Sequence, residues 1–180
     1  LPSNPNRVWA VINNALFASF NGGKRWNIVH HRRDLGWIAA DPRNPKRFFV
    51  SGRHNSYVTT NGGINFTPIG GPRSNGRIAC DANGNLYIAA WHGQVPGLWR
   101  YSNKWERLLD NELISNVAID PKNPKRIAIT TNDEPYHDIC KAPGVWLSDD
   151  DGESWALVSK GLPMTRGEAI AFDPHTADTL

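Results

Sequence analysis

Three eight-residue segments of this chain share one frame: a hydroxyl residue, then Asp or Asn two positions on, Gly four positions on and an aromatic at the seventh. They are Ser148-Asp149-Asp150-Asp151-Gly152-Glu153-Ser154-Trp155, Ser19-Phe20-Asn21-Gly22-Gly23-Lys24-Arg25-Trp26 and Thr59-Thr60-Asn61-Gly62-Gly63-Ile64-Asn65-Phe66. Such a frame encodes a tight hairpin that carries its own polar scaffold. The hydroxyl and the Asp or Asn can bond the backbone N–H groups of the turn, and Gly tolerates the positive φ that the turn needs. The aromatic then covers the turn from the outgoing strand, and burying it stabilises by roughly 2–3 kcal/mol.

A second element repeats with the first. Asp41-Pro42-Arg43-Asn44-Pro45-Lys46-Arg47 recurs as Asp120-Pro121-Lys122-Asn123-Pro124-Lys125-Arg126, with weaker copies at Pro2–Arg7, Asp81–Asn85 and Asp173–His175. Both ladders step by about 40 residues with one longer step, the period of a four-stranded propeller blade. The 16 Gly and 13 Pro punctuate short runs rich in Val, Ile, Trp, Phe and Tyr, and no stretch keeps a helical period. The reading is all-β.

Each repeat divides into strands A to D. Strand A is expected at Trp37–Asp41, Arg77–Asp81, Asn116–Asp120 and Ala169–Asp173. Strand B falls at Val8–Ile12, Phe48–Ser51, Leu86–Ala90 and Ile127–Thr131. Strand C falls at Leu16–Ser19, Tyr57–Thr60, Leu98–Tyr101 and Val145–Ser148, and strand D at Trp26–Val29, Phe66–Ile69, Trp105–Leu108 and Trp155–Val158. The third blade keeps only the aromatic of the hairpin frame, at Trp105, and a short Ser102-Asn103 turn replaces the rest. Blades are expected at residues 1–36 (without strand A), 37–75, 76–115 and 116–167, with strand A of a next blade in 168–180. About four blades of a larger propeller are therefore expected, rather than a closed four-bladed ring.

The hairpin frame resembles the Asp box, or bacterial neuraminidase repeat, of β-propeller proteins. Together with the Asp-Pro-x-Asn-Pro turns it covers nearly the whole chain. It is specific for fold and poor for function.

In an antiparallel A-B-C-D meander, A–B and C–D turns share one face, and B–C and D–A loops share the other. The repeated motifs all lie on the first face and read as architecture. The second face differs in every blade, which is where a repeat scaffold carries function. The fourth B–C loop, Asn132 to Gly144, accounts for the long step in the period.

Carboxylates on that face are Asp34, Asp110, Glu112, Asp133, Glu134, Asp138 and Glu168, and Trp91, Tyr136 and Trp37 could stack on a sugar ring. Glycoside hydrolysis uses two carboxyl groups flanking the scissile bond. Asp133, Glu134 and Asp138 are the first candidates, because the insertion presents them. Trp91, His92, Tyr136, His137, Arg53, His54 and Arg166 are the candidate substrate-binding residues. His54, His92 and His137 all fall in B–C loops near His30 and His31, but no metal-ligand spacing accompanies them, so no metal or cofactor is expected. There is no G-x-S-x-G motif for a serine nucleophile. Cys80 aligns with strand A core positions and Cys140 lies in the insertion on the other face, so both are expected to be free thiols.

A net charge of +3 with no Lys or Arg run longer than two gives no expectation of nucleic acid. No apolar run is long enough to span a bilayer. The chain begins Leu-Pro-Ser, and no signal peptide is visible in it.

Asp-Pro-x-Asn-Pro followed by an Asp box, blade after blade, is most similar to the xyloglucanase-type propeller glycosidases. Sialidases are more distant, since their Arg-Ile-Pro segment is reduced here to Arg77-Ile78. The resemblance implies a secreted, extracellular carbohydrate-active protein with a polysaccharide or oligosaccharide substrate, and with further blades or a second propeller domain. The family's catalytic aspartates come from two propeller domains. The rival reading is a non-catalytic propeller that binds a protein or peptide, like sortilin or the photosystem-assembly propellers. A groove lined by Arg32, Arg33, Arg53, Arg73 and Arg166 would favour it.

Overall fold

The computed structural model describes residues 4–30, 34–74, 76–91, 94–111, 113–133, 142–176 and 180. Fifteen strands and no helix are found among them. They form a three-stranded antiparallel sheet, β1 (Val8–Ile12), β2 (Ala15–Ser19) and β3 (Asn27–His30), and three four-stranded ones. The second sheet is β4 (Leu35–Ala40), β5 (Phe48–Gly52), β6 (Ser56–Thr59) and β7 (Thr67–Gly70). The third is β8 (Arg77–Cys80), β9 (Leu86–Ala90), β10 (Gly97–Tyr101) and β11 (Trp105–Leu109). The fourth is β12 (Ile114–Ile119), β13 (Ile127–Thr131), β14 (Val145–Ser148) and β15 (Ala156–Leu157). Each sheet is a plain meander, its strands pairing in chain order. No helix among the described residues is long and apolar enough to cross a membrane.

Burial follows from where a strand sits in its sheet. The second strands β5, β9 and β13 are buried along their whole length. β5 and β9 have a neighbouring sheet on each side, and β13 has the third sheet on one side and the segment carrying Ile170 and Phe172 on the other. Their period-two alternation sends side chains into different cores. Phe48 and Val50 join Leu16 and Leu35 between the first and second sheets. Phe49 meets Leu86 and Ile88 between the second and third. Tyr87 and Ala89 meet Ile127 and Ile129 between the third and fourth. Stacked sheets sharing such cores are the blades of a propeller.

One departure from the expected strands has a simple cause. Ala169–Asp173 carries no strand ladder, because among the described residues no strand follows it to pair with. It nevertheless packs as an inner strand would: Phe172 is buried against Ala118 and Ala128 of the fourth sheet.

The three hairpins have the same bonding. In the fourth blade the Ser148 hydroxyl donates to Asp150 Oδ1 (2.8 Å) and accepts from the N–H of Gly152 (2.8 Å). Asp150 Oδ1 also accepts from the Ser154 N–H (2.9 Å). Ser19, Asn21, Gly23 and Arg25 repeat this set, as do Thr59, Asn61, Gly63 and Asn65. Gly152 sits at φ 90°, in the left-handed region. The Trp155 indole N–H closes the turn on the Gly152 carbonyl (3.2 Å).

The second repeated motif is held by the first. The N–H groups of Gly22, Gly62 and Asp151, each three residues beyond the hydroxyl, donate to the carbonyls of Asn6, Lys46 and Lys125 at 3.0, 2.8 and 2.9 Å. Hairpin and A–B turn are therefore tied together in every blade that has both. In the turns of the second, third and fourth blades a buried aspartate organises the backbone: Asp41 and Asp120 bond the N–H two residues on, and Asp81 bonds the N–H groups of Asn83 and Asn85. In the first blade the Asn4 carboxamide oxygen accepts from the Asn6 N–H instead. The third blade has a shortened turn and a shortened hairpin together. There Asp151 of the next blade pairs instead with Arg100 of β10 (2.6 Å).

Removing the Ser148 hydroxyl strands the Gly152 N–H in a buried site. Ser148→Ala should lower unfolding free energy by about 1–3 kcal/mol in urea titrations, whereas Ser148→Thr, which copies Thr59, should cost well under 1 kcal/mol. Acid should act on the same hairpin. Bonds from the Ser154 hydroxyl and N–H, and from the Ser148 hydroxyl, hold Asp150 at a pKa of about 2. Burial alone would raise Asp41, but the Arg47 guanidinium and the Arg43 N–H and guanidinium outweigh it and leave it lowered. Both groups release their protons more readily folded than unfolded. Their contribution is complete above the unfolded carboxyl pKa of about 4 and fades as pH falls toward 2. Urea midpoints measured from pH 5 to pH 2.5 should fall steadily, and Asp150→Asn should flatten that slope.

Candidate functional site

The heads of the inner strands converge on the face opposite the repeated turns. The buried Ser51 hydroxyl accepts from the Trp37 N–H (2.9 Å) and donates to the Gly76 carbonyl (3.2 Å), so the starts of β4 and β8 lie side by side. A Cβ on Gly76 would sit 1.9 Å from the Ala89 carbonyl oxygen, so only glycine allows this approach. In the fourth blade the Ser115 hydroxyl donates to the Gly167 carbonyl (2.6 Å), and the Gly167 N–H donates to the Thr131 carbonyl (2.8 Å). These bonds place Glu168 beside the strand heads.

The result is a cleft of about 300 Å³ lined by Trp37, Gly76, Arg77, Trp91, Ser115, Asn132 and Glu168. Trp37 and Trp91 are 43% and 40% exposed, the two most exposed indoles of the chain. The Arg77 guanidinium stacks 4.4 Å from the centroid of Trp37 and lies 4.0 Å from Glu168 Oε2. Asn132 Nδ2 donates to Glu168 Oε1. Two ring platforms, a carboxylate, a guanidinium and a carboxamide thus share one opening. That is the donor and acceptor set a pocket for a polyhydroxylated ring requires.

Only some of the residues expected from sequence meet here. Trp91 lines the cleft. Asp133 and Arg166 pair with one another. Arg166 Nε donates to Asp133 Oδ2 at 2.6 Å, and the Ala142 N–H donates to Asp133 Oδ1 at 2.5 Å. With Asp133 8% exposed, this pair clamps both ends of the insertion to the loop after β15. Arg53 and His54 are exposed in the second B–C loop and do not line the cleft. Glu134, Asp138, His92, Tyr136, His137 and Cys140 lie outside the described residues, as do Glu112, His31, Arg32 and Arg33. Arg73 is exposed and likewise not part of the cleft lining.

Arg77, at the head of a strand A in the sequence and part of the reduced Arg-Ile-Pro segment, is not among the residues expected to bind substrate. A signal for it exists in the repeat. Counting back four residues from Asp41, Asp81 and Asp120 gives Trp37, Arg77 and Asn116, the position where strand A stops repeating. Cys80 is free, and burial with the nearby Asp41 and Asp81 carboxylates pushes its thiol up to about 12, so it offers no thiolate near neutral pH. Among the described residues no three His, Cys, Asp or Glu side chains gather as a metal site.

Blades of this construction with an aromatic-walled cleft on the irregular face define a β-propeller. No family model matches the chain. It is similar to a probable oligoxyloglucan-reducing end-specific xyloglucanase of Neosartorya fischeri, 26% identical over 155 residues, covering 79% of this chain and 19% of that protein. It is also similar to a xyloglucanase of a Paenibacillus species, 24% identical over 183 residues, covering 93% of this chain and 17% of that one. The chain therefore spans under a fifth of the length of either relative. Among solved structures, the GH74 enzyme of Niastella koreensis superposes with a TM-score of 0.67 over 86% of this chain and 28% of its own, at 20% identity.

Asp133→Ala should free the base of the insertion and leave the Ala142 N–H without its acceptor. Urea unfolding should show a loss of about 1–3 kcal/mol, and limited proteolysis should cut between residues 133 and 142 faster than in the parent.

Proposed function

We propose that this chain is part of a secreted Asp-box propeller of the xyloglucanase type, a glycoside hydrolase acting on a polysaccharide, and that the cleft holds a stretch of the glycan. The observation that carries the reading is the pairing of exposed Trp37 and Trp91 with Glu168, Arg77 and Asn132 in one opening. Apolar faces of pyranose rings lie on indoles, while the carboxylate, carboxamide and guanidinium take hydroxyl groups. Similarity to two xyloglucanases over most of this chain supports the same substrate class.

Hydrolysis asks for two carboxyl groups roughly 5–9.5 Å apart. Of the described residues, Glu168 is the one carboxylate lining the cleft. Glu134 and Asp138 of the insertion are the proposed acid and base candidates on this chain, with Tyr136, His92 and His137 as further substrate contacts. Remaining blades or a second propeller domain could supply the other partner. Asp133, committed to Arg166, enters as a positioning residue for the insertion rather than as an acid.

The test is binding and hydrolysis of a soluble β-glucan panel that includes xyloglucan. Trp37→Ala and Trp91→Ala should each weaken xyloglucan retardation in affinity gels about fivefold, the equivalent of roughly 1 kcal/mol per lost stack. Glu134→Gln or Asp138→Asn should abolish turnover with binding kept. A folded parent chain that neither binds nor cleaves any glucan would overturn the reading in favour of a protein- or peptide-binding propeller.

A further inference from the structure

The charge of this chain is divided. Residues 1–80 hold 11 Lys and Arg against 2 Asp and Glu, while residues 81–180 hold 9 against 15. Much of the basic excess falls on the turn face of the first two blades, opposite the cleft. The one acidic side chain on that part of the face, Asp41, is 3% exposed and already held by Arg47 (2.6 Å) and Arg43 (3.4 Å). Lys24, Arg25 and Lys46 are exposed there, with no carboxylate among the described residues paired to them.

The turns that carry these cations form one continuous surface. Gly22 ties the first hairpin to Asn6, and Gly62 ties the second hairpin to Lys46. Arg7 joins the two blades: its guanidinium packs on Gly62 and lies 5.8 Å from the Phe20 ring. Phe20 (53% exposed) and Ile64 (78% exposed) lie on the same two hairpins.

We propose that this surface is a second binding site, for an acidic polysaccharide of the polyuronate class. A uronate chain offers a carboxylate on each ring and an apolar C–H face beside it. Turns that expose cations and apolar side chains together match that pairing of charge and C–H face: Arg25 can take a carboxylate in a bidentate fork, and Lys24 and Lys46 act as point charges. Single-stranded nucleic acid would call for open aromatic platforms in series. Here exposed rings are confined to the first hairpin, where Phe20 already lies T-shaped against Trp9 (6.1 Å, 86°) beside Trp26, and the second hairpin exposes Ile64 instead of a ring. The site is independent of the cleft, and several weak contacts on one polymer give useful avidity.

Affinity electrophoresis of the chain through polygalacturonate, dextran sulfate, poly(dT) and xyloglucan gels tests it. Polygalacturonate should retard the parent chain, more strongly than dextran sulfate or poly(dT) of equal charge concentration. The effect should fall about tenfold when the ionic strength rises from roughly 0.02 M to 0.2 M. The triple variant Lys24→Ala, Arg25→Ala, Lys46→Ala, all exposed positions, should lose polygalacturonate retardation with an unchanged thermal melt. Lys160→Ala should not lose it. Trp91→Ala should weaken xyloglucan retardation and leave polygalacturonate retardation unchanged, which separates failure of this site from failure of the cleft. No retardation of the parent by polygalacturonate, an unaffected triple variant, or tighter binding to poly(dT) or dextran sulfate would each overturn the proposal.

Discussion

The bond from a hairpin N–H to an A–B turn carbonyl, Gly22 to Asn6, Gly62 to Lys46 and Asp151 to Lys125, is the constraint on which the rest of the blade depends. It explains why two motifs whose bonded residues lie 16, 16 and 26 positions apart in sequence repeat as a pair. The hydroxyl of Ser19, Thr59 or Ser148 shapes the hairpin, and a side-chain oxygen two residues before an N–H shapes the turn: Asn4 in the first blade, the buried Asp41 and Asp120 in the second and fourth. In the third blade both partners are shortened. Asp81 then satisfies its own turn through Asn83, Asn85 and the Tyr87 hydroxyl, and Arg100 reaches the hairpin of the next blade.

Fixing one end of each sheet leaves the other free to vary. Strands β5, β9 and β13 carry the load between blades through apolar side chains on both sides, which needs no special residue at the strand heads. The heads of β4, β8 and β12 can then carry Trp37, Arg77 and Ser115, which line the cleft. Hydroxyls of Ser51 and Ser115 hold neighbouring blades in register there without filling the opening.

This division also explains what could be read from sequence. The period, the strand order and the hairpin bonding were legible, because each rests on residues within a few positions of one another and each recurs. The site was legible only in outline. The sequence puts Trp91, Trp37 and Glu168 in loops or strand heads of one face, but their meeting with Arg77 and Asn132 in one cleft joins four blade segments, and no spacing in the chain encodes that. Asp133 shows the limit most clearly. A carboxylate in a polar insertion reads as chemistry until the fold brings Arg166, 33 residues on, against it. Ala169–Asp173 has the sequence of an inner strand and packs like one, yet a ladder needs a partner as well as a pattern.

Native-state hydrogen exchange, read residue by residue by NMR, tests the central claim most directly. If the hairpin-to-turn bond anchors the blade, the amides of Gly22, Gly62 and Asp151 should exchange only on the global unfolding of their blades, with protection close to that of β5 and β13. If those three amides exchange as fast as the open-loop amides of Arg53 and His54, the bond is a surface detail and the account of the scaffold fails.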